Sequence, residues 1–109
     1  MTTAERAPQH MQALAYANRV RLARAALKRS VKAGNVSAAE VIRSCPSEAE
    51  TMTISELLRS QRRWGRTRAR KFLFTLSLNE GRQLGRLTER QRMLIAAELQ
   101  RRSPALVQA

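Results

Sequence analysis

The chain has 109 residues, which suits one domain or a small domain with an appended element. It carries 21 lysine and arginine residues against 8 acidic ones, so its net charge is +13, and 18 of the basic residues are arginine. Such a charge repels itself unless a polyanion neutralises it, and the planar guanidinium suits phosphate recognition. The composition therefore predicts a nucleic-acid partner, with an anionic membrane as the rarer alternative.

The same composition argues against several other classes of protein. Cys45 is the single cysteine, so an intrachain disulfide is excluded and a reducing cytoplasm is favoured. His10 is the single histidine, and we expect no protein-built metal site and no cofactor. No apolar run is long enough for a signal peptide or a membrane span, and we expect neither.

The first third of the chain is expected to be a long helix. We expect a disordered leader over residues 1–7 and a basic helix over residues 8–34, because Pro8 suits a first turn and Gly34 suits a C-terminal stop. Apolar side chains recur at a helical spacing and should pack against the rest of the protein. They are Tyr16, Val20, Ala23, Leu27 and Val31.

A second stripe of this helix is basic and has no acidic residue to pair with. Three interpretations are open: a solvated face, a membrane-surface helix, and contact with a nucleic-acid backbone, which we favour. The stripe consists of Arg21, Arg24, Lys28 and Lys32.

The remainder, residues 35–103, has the pattern of a small helical domain. Two capping-box motifs begin helices, and apolar spacing predicts two more. No segment alternates as a strand does, so the predicted fold is all-α: a long N-terminal helix followed by a small helical domain. Residues 104–109 are expected to be a frayed tail. The predicted helices of the domain are 38–44, 53–58, 66–77 and 89–102.

The densest charge surrounds a glycine turn. Residues 59–71 hold seven basic side chains and no acidic one. A glycine turn that feeds a helix leaves the first backbone N–H groups without partners, and these attract anions. We predict a clamp for a nucleic-acid backbone, in which the N–H groups of Gly65 to Arg68 hold one phosphate. The predicted contacts are Arg62, Arg63, Trp64, Gly65, Arg66, Thr67, Arg68 and Lys71.

Simpler explanations exist for some of these residues. Gly65 could stand at an ordinary joint between two helices, where its one role would be to allow a positive φ. Trp64 is either a stacking wedge or, as is commoner for a lone tryptophan beside a turn, part of the core. Arg82 and Arg86 lie in a glycine-flanked loop that is either mobile and solvated or a probe of the minor groove. We include both arginines among the predicted DNA contacts.

A resemblance to a known family rests on the runs Ala23–Lys28, Val31–Gly34, Met52–Leu58, Trp64–Ala69 and Leu87–Arg92. They resemble the actinobacterial integration host factor family, which is unrelated to the heterodimeric β-ribbon factor of the same name. The resemblance covers about residues 19–99 and is nearly free of gaps. The second half alone also resembles the helix-two-turn-helix module of small-subunit ribosomal protein S13 and of formamidopyrimidine-type DNA glycosylases.

The resemblance implies a small, monomeric, all-helical protein of the cytoplasmic nucleoid. Such proteins bind double-stranded DNA with low sequence specificity, bend or compact it, and can assist a site-specific recombinase. By position, the phosphate-binding turn falls on residues 65–68, the arginine-rich loop on residues 82–86 and the basic helix on residues 21–32.

The sequence departs from the family in two places. Family members carry Pro-Lys-Val before the turn glycine, where this chain has Arg62, Arg63 and Trp64. Gln83 and Gly85 stand where the family's loop is basic. The turn is therefore richer in arginine than expected, and the loop is poorer.

Two other functions fit the sequence less well. An RNA-binding, ribosome-associated protein of the S13 type would usually carry a long basic C-terminal tail, whereas residues 103–109 hold no charge. A glycosylase of the resembled type would need a proline after the initiator methionine and a zinc finger of four cysteines. Thr2 follows the methionine here, and one cysteine cannot build the finger. We therefore expect no enzymatic activity.

Overall fold

A computed structural model describes residues 2–102, and their side chains from residue 9 onward. Within that range the chain is all-helical, with one isolated antiparallel bridge between Thr53 and Gln83 and no strand. The predicted fold class is confirmed, whereas the tail predicted as frayed, residues 104–109, lies outside the described residues. The helices are α1 (Thr2–Ala33), α2 (Ala38–Ser44), α3 (Ile54–Arg59), α4 (Arg66–Thr75) and α5 (Glu89–Arg102), with 3₁₀ turns at Ser47–Ala49 and Leu84–Arg86.

The helix α1 begins earlier than predicted and ends where predicted. It includes Thr2, so the disordered leader expected before Pro8 is wrong from that residue onward. The residues just before Pro8 are good helix formers, which explains the extension. At the other end Gly34 takes a φ of +86°, and the N–H of Asn35 donates to the carbonyl of Ser30 at 3.0 Å. This is the left-handed glycine stop that the sequence predicts.

Only the C-terminal part of α1 packs firmly against the domain. Val31 is buried, and Val20 and Leu27 are half-buried. Tyr16 is 60% exposed and Ala23 is also exposed, so the predicted packing is wrong for these two residues. The reason is the shape of the molecule, which measures 59 × 28 × 23 Å: the N-terminal part of α1 projects beyond the domain.

Side-chain caps begin α2 and α5, as the two capping-box motifs predict, and a further cap begins α3. Ser37 caps α2, and Thr53 Oγ1 accepts the N–H of Glu56 at 3.1 Å at the start of α3. Before α5, Thr88 Oγ1 accepts the N–H of Gln91 at 3.1 Å, and Gln91 Oε1 accepts the N–H of Thr88 at 2.9 Å. Each cap accepts a hydrogen bond from a first-turn N–H group that has no partner within the helix, and it stabilises the folded protein by about 1 kcal/mol.

In the core α2 packs against α5 and α3 packs against α4, and buried residues of all four helices form one cluster. The segment before α3 is also hydrogen-bonded to the loop before α5. Ile54 donates its N–H to the carbonyl of Arg82 at 2.8 Å, and Leu84 donates to the carbonyl of Met52 at 3.0 Å. These bonds hold the backbone of the loop. The fully buried side chains are Ile42, Met52, Ile54, Leu57, Leu58, Leu73, Leu84 and Ile95.

Candidate nucleic-acid interface

Two consecutive turns join α3 to α4. Gln61 donates its N–H to the carbonyl of Leu58 at 3.2 Å, and Trp64 donates to the carbonyl of Gln61 at 3.2 Å. Gly65 then precedes α4 in an extended conformation, with φ −96° and ψ −175°. Arg63, not Gly65, takes the left-handed conformation, with φ +67°. The explanation of this glycine as a supplier of positive φ is therefore wrong.

The glycine leaves the start of α4 uncovered. The N–H groups of Gly65, Arg66, Thr67 and Arg68 have no acceptor among the described residues. A Cβ atom on Gly65 would meet nothing within 4 Å, so the space beside it is open. Four free donors at the positive end of a helix dipole attract an anion.

Trp64 belongs to the core. Its exposed fraction is 9%, and its ring meets that of Phe72 edge to face, with centroids 5.5 Å apart and planes at 80°. The guanidinium carbon of Arg68 lies over the Trp64 ring, 4.4 Å from its centroid. With the ring buried and covered, the stacking-wedge interpretation is wrong and core packing is right. Trp64 supports Arg68 from below, and its predicted contact with DNA stays a prediction.

An open cleft surrounds the free amides, and we call it the turn cleft. It gathers most of the predicted contacts of the turn and adds Phe72 and Arg102. Among the described residues no carboxylate lines it. The anion-attracting amides are thus surrounded by basic side chains, of which Arg102 alone is paired with a described carboxylate, Glu98. The lining residues are Trp64, Gly65, Arg66, Thr67, Arg68, Lys71, Phe72 and Arg102.

A second basic groove runs between α1 and the α3–α4 joint, and we call it the helix groove. It joins the C-terminal end of the predicted stripe on α1 to two arginines of the turn. Glu56 is the one carboxylate among its lining residues, and Lys28 Nζ donates to it at 2.7 Å. The two patches predicted separately therefore meet in one surface. The lining residues are Lys28, Arg29, Lys32, Glu56, Arg59, Ser60, Gln61, Arg62 and Arg63.

The predicted stripe on α1 divides into residues with different roles. Lys32 is exposed in the helix groove, and Lys28 is held in its ion pair. Arg24 is half-buried, its guanidinium donates to the hydroxyl of Thr51, and its Nε has no partner. Arg21 is exposed but lines neither cleft. Arg24 therefore attaches α1 to the domain, and its charge is less available than predicted.

The loop before α5 has a fixed backbone and outward-facing arginines. Gly85 donates its N–H to the carbonyl of Glu50 at 2.9 Å, and a Cβ atom on Gly85 would lie 3.1 Å from the same oxygen. This close approach explains why glycine, and not a basic residue, stands there. Together with the two bonds to the segment before α3, this bond fixes the backbone of the loop to the domain. Arg82 and Arg86 are exposed and line a common pocket, and their insertion into a groove stays a prediction.

Carboxylates outside the two clefts pair with further basic residues, one of which, Arg102, lines the turn cleft. Glu80 accepts from Arg70 Nε at 3.1 Å, which lowers the pKa of the Glu80 carboxyl. Glu98 accepts from Arg101 and also from Arg102, whose Nε lies 3.2 Å away, and these bonds lower the pKa of Glu98. Of the basic residues at positions 59–71, Arg70 alone forms an ion pair with a described carboxylate.

The structure adds three basic residues to the predicted interface. Arg29 and Arg59 line the helix groove, and Arg102 lines the turn cleft. Helical spacing from Lys32 would have indicated Arg29, but no local pattern connects Arg102 to the turn.

In the part of the chain whose side chains are described, no three acidic, histidine or cysteine residues gather as metal ligands. No described helix is long and apolar enough to cross a bilayer.

Comparison with known proteins identifies one similar architecture. No protein-family model and no curated protein matches the chain. A solved structure does match, with a TM-score of 0.68 and 29% sequence identity. It is sIHF bound to an 8-base-pair palindromic DNA. The match covers 80% of this chain and 96% of that one, so nearly the whole of sIHF has its counterpart here.

Proposed function

We propose that the protein is a nucleoid-associated architectural protein that binds double-stranded DNA. The observation that carries this proposal is the turn cleft, where four free backbone N–H groups lie among basic side chains and no carboxylate is among the described lining residues. The similarity to sIHF in complex with DNA supports the same partner. The proposed role is binding without catalysis.

The chemistry of the turn cleft suits a sugar–phosphate backbone. The N–H groups of Gly65 to Arg68 take one phosphate, as helix N-termini do with anions. Arg66, Arg68 and Lys71 are placed to neutralise the neighbouring phosphates, because all three line the same cleft. Phosphate oxygens carry no sequence information, so such contacts give low sequence specificity. In this proposal α3, the two turns and α4 form a helix-two-turn-helix module of the S13 type.

The helix groove extends the proposed contact surface. Arg62 and Arg63 continue from the turn into the groove, and Lys32 lines its α1 side. A duplex that follows both the cleft and the groove gains more phosphate contacts if it bends, and those contacts offset the cost of bending. We therefore propose that the protein, acting as a monomer, bends or compacts DNA. A bent duplex would also assist a site-specific recombinase that acts on the same DNA.

The loop before α5 has a proposed role in the minor groove. Arg82 and Arg86 share an exposed pocket on a backbone that is already held by hydrogen bonds. A fixed backbone lowers the entropy lost when an arginine enters a narrow groove. This contact is secondary to the turn cleft, because the loop has fewer basic residues.

Duplex affinity measured across a salt series tests the proposal. If the protein neutralises about six phosphates, log affinity against log salt concentration should fall with a slope of about −5. Structured RNA, competed at matched salt, should displace duplex poorly. A preference for RNA would instead support the ribosome-associated alternative, and salt-insensitive affinity for duplex would eliminate the backbone-binding proposal.

Charge reversal distinguishes duplex binding at the turn cleft from a general effect of net charge on affinity. The double variant Arg66→Glu with Arg68→Glu should lose most duplex affinity. Arg19→Glu with Arg90→Glu changes net charge by the same amount at exposed residues that line neither cleft. This matched control should lose far less affinity, and thermal unfolding should show that both proteins are folded. Equal losses would mean that net charge, not the turn, determines binding.

A further inference from the structure

The last residue of α5 lies in the turn cleft, although it is distant in sequence from the turn. The guanidinium carbon of Arg102 is 5.2 Å from the centroid of the Phe72 ring. Arg102 Nε donates to Glu98 Oε1 at 3.2 Å. The ring therefore covers one face of the guanidinium and Glu98 occupies its Nε. The two terminal nitrogens have no hydrogen-bond partner among the described residues.

A second arginine is held in the same way on the neighbouring ring. Arg68 lies over Trp64, and the Trp64 and Phe72 rings touch edge to face. The aromatic pair is thus a platform that carries one guanidinium on each ring. Cation–π contact restricts the rotamers of a long side chain, so less entropy is lost when the guanidinium binds an anion.

We propose that Arg102 is a phosphate-contacting residue of the turn cleft, and that the Trp64–Phe72 platform presents it together with Arg68. The proposal rests on the duplex-binding function proposed above and names a further residue for it. The ligand chemistry is the sugar–phosphate backbone, because the two terminal nitrogens of a guanidinium match the oxygens of one phosphate. Glu98 positions Arg102 and does not itself contact the phosphate.

Arg101 is a matched control for this proposal. It is adjacent in sequence, carries the same charge and donates to the same Glu98 carboxylate. It does not line the turn cleft, and its side chain is 71% exposed against 41% for Arg102. If the arginines act only through long-range attraction to DNA, losing either one should lower duplex affinity by nearly the same amount. If Arg102 contacts a phosphate directly, losing it should lower the affinity more.

The experiment compares Arg102→Gln with Arg101→Gln in duplex binding across a salt series. Glutamine keeps part of the side-chain stem and removes the charge, and thermal unfolding confirms that both variants fold. Arg102→Gln should weaken binding about tenfold at low salt and reduce the magnitude of the salt slope by about 0.9, the contribution of one phosphate contact. Arg101→Gln should leave the slope unchanged. Arg102→Lys should restore the slope, because it restores the cation.

The outcomes separate this inference from the function on which it rests. Equal effects of Arg101→Gln and Arg102→Gln, or no recovery of the slope by Arg102→Lys, would overturn the contact assigned to Arg102. Wild-type protein would still bind duplex with strong salt dependence in that case. Salt-independent binding by the wild-type protein would overturn the proposed function itself.

Discussion

The backbone amide of Arg66 can be removed without removing the helix that it begins. Arg66 is the first residue of α4, a position where proline fits and no intrahelical hydrogen bond is lost. The preceding Gly65 is extended at φ −96° and ψ −175°, which is close to the conformation preferred before proline. Arg66→Pro therefore deletes the N–H donor and the side chain together, whereas Arg66→Ala deletes the side chain alone.

The difference in duplex affinity between these two variants measures the contribution of the Arg66 backbone amide to binding. Both lose one cation, so both should reduce the magnitude of the salt slope by about 0.9. Arg66→Pro also loses a hydrogen bond to a charged phosphate, worth about 1.5–3 kcal/mol. That loss corresponds to a further rise in Kd of roughly tenfold to a hundredfold at every salt concentration.

Fluorescence anisotropy with a labelled short duplex gives both Kd values, and thermal unfolding gives the stability of each variant. We expect Arg66→Pro to unfold at least as high in temperature as Arg66→Ala, because proline favours the first helical position. Equal Kd values for the two folded variants would refute the idea that the amides at the start of α4 hold a phosphate.

Three further substitutions test other parts of the structure. Arg63→Gly should be more stable to denaturant than Arg63→Ala by about 1 kcal/mol, because only the glycine relieves the φ of +67° at this position. Gly85→Ala should lower stability by about 1 kcal/mol in the same assay, since the new Cβ atom would press on the Glu50 carbonyl that Gly85 itself bonds. Glu56→Gln should tighten duplex binding and steepen the salt slope by up to about 0.9, because it frees Lys28 for a phosphate. An unchanged slope would mean that Lys28 does not reach the duplex.

Helix boundaries and the free amides are predictable because they depend on local chemistry. Ser37, Thr53 and Thr88 precede helices because a hydroxyl satisfies amides of the first turn. Gly34 ends α1 because glycine adopts a positive φ without cost. The same logic predicts the uncovered start of α4 at Gly65, since glycine has no side chain with which to cap it.

The tertiary neighbours of the interface are not predictable in this way. Nothing local in α5 indicates that its last residue, Arg102, will meet Phe72. The capture of Lys28 by Glu56 depends on where α1 crosses α3, which helical periodicity does not specify. The apolar spacing that includes Tyr16 predicts a buried face correctly near Val31, but it cannot show where the helix leaves the domain.

Amide chemical shifts of the isotope-labelled protein, followed as a short duplex is added, test the central claim most directly. The N–H resonances of residues 65–68 should shift downfield and saturate with the duplex, because each gains a charged acceptor. The N–H of Ala49, already bonded to the carbonyl of Pro46 at 2.8 Å, should move little. Saturating binding that leaves all four resonances of residues 65–68 in place would contradict a phosphate site at the start of α4.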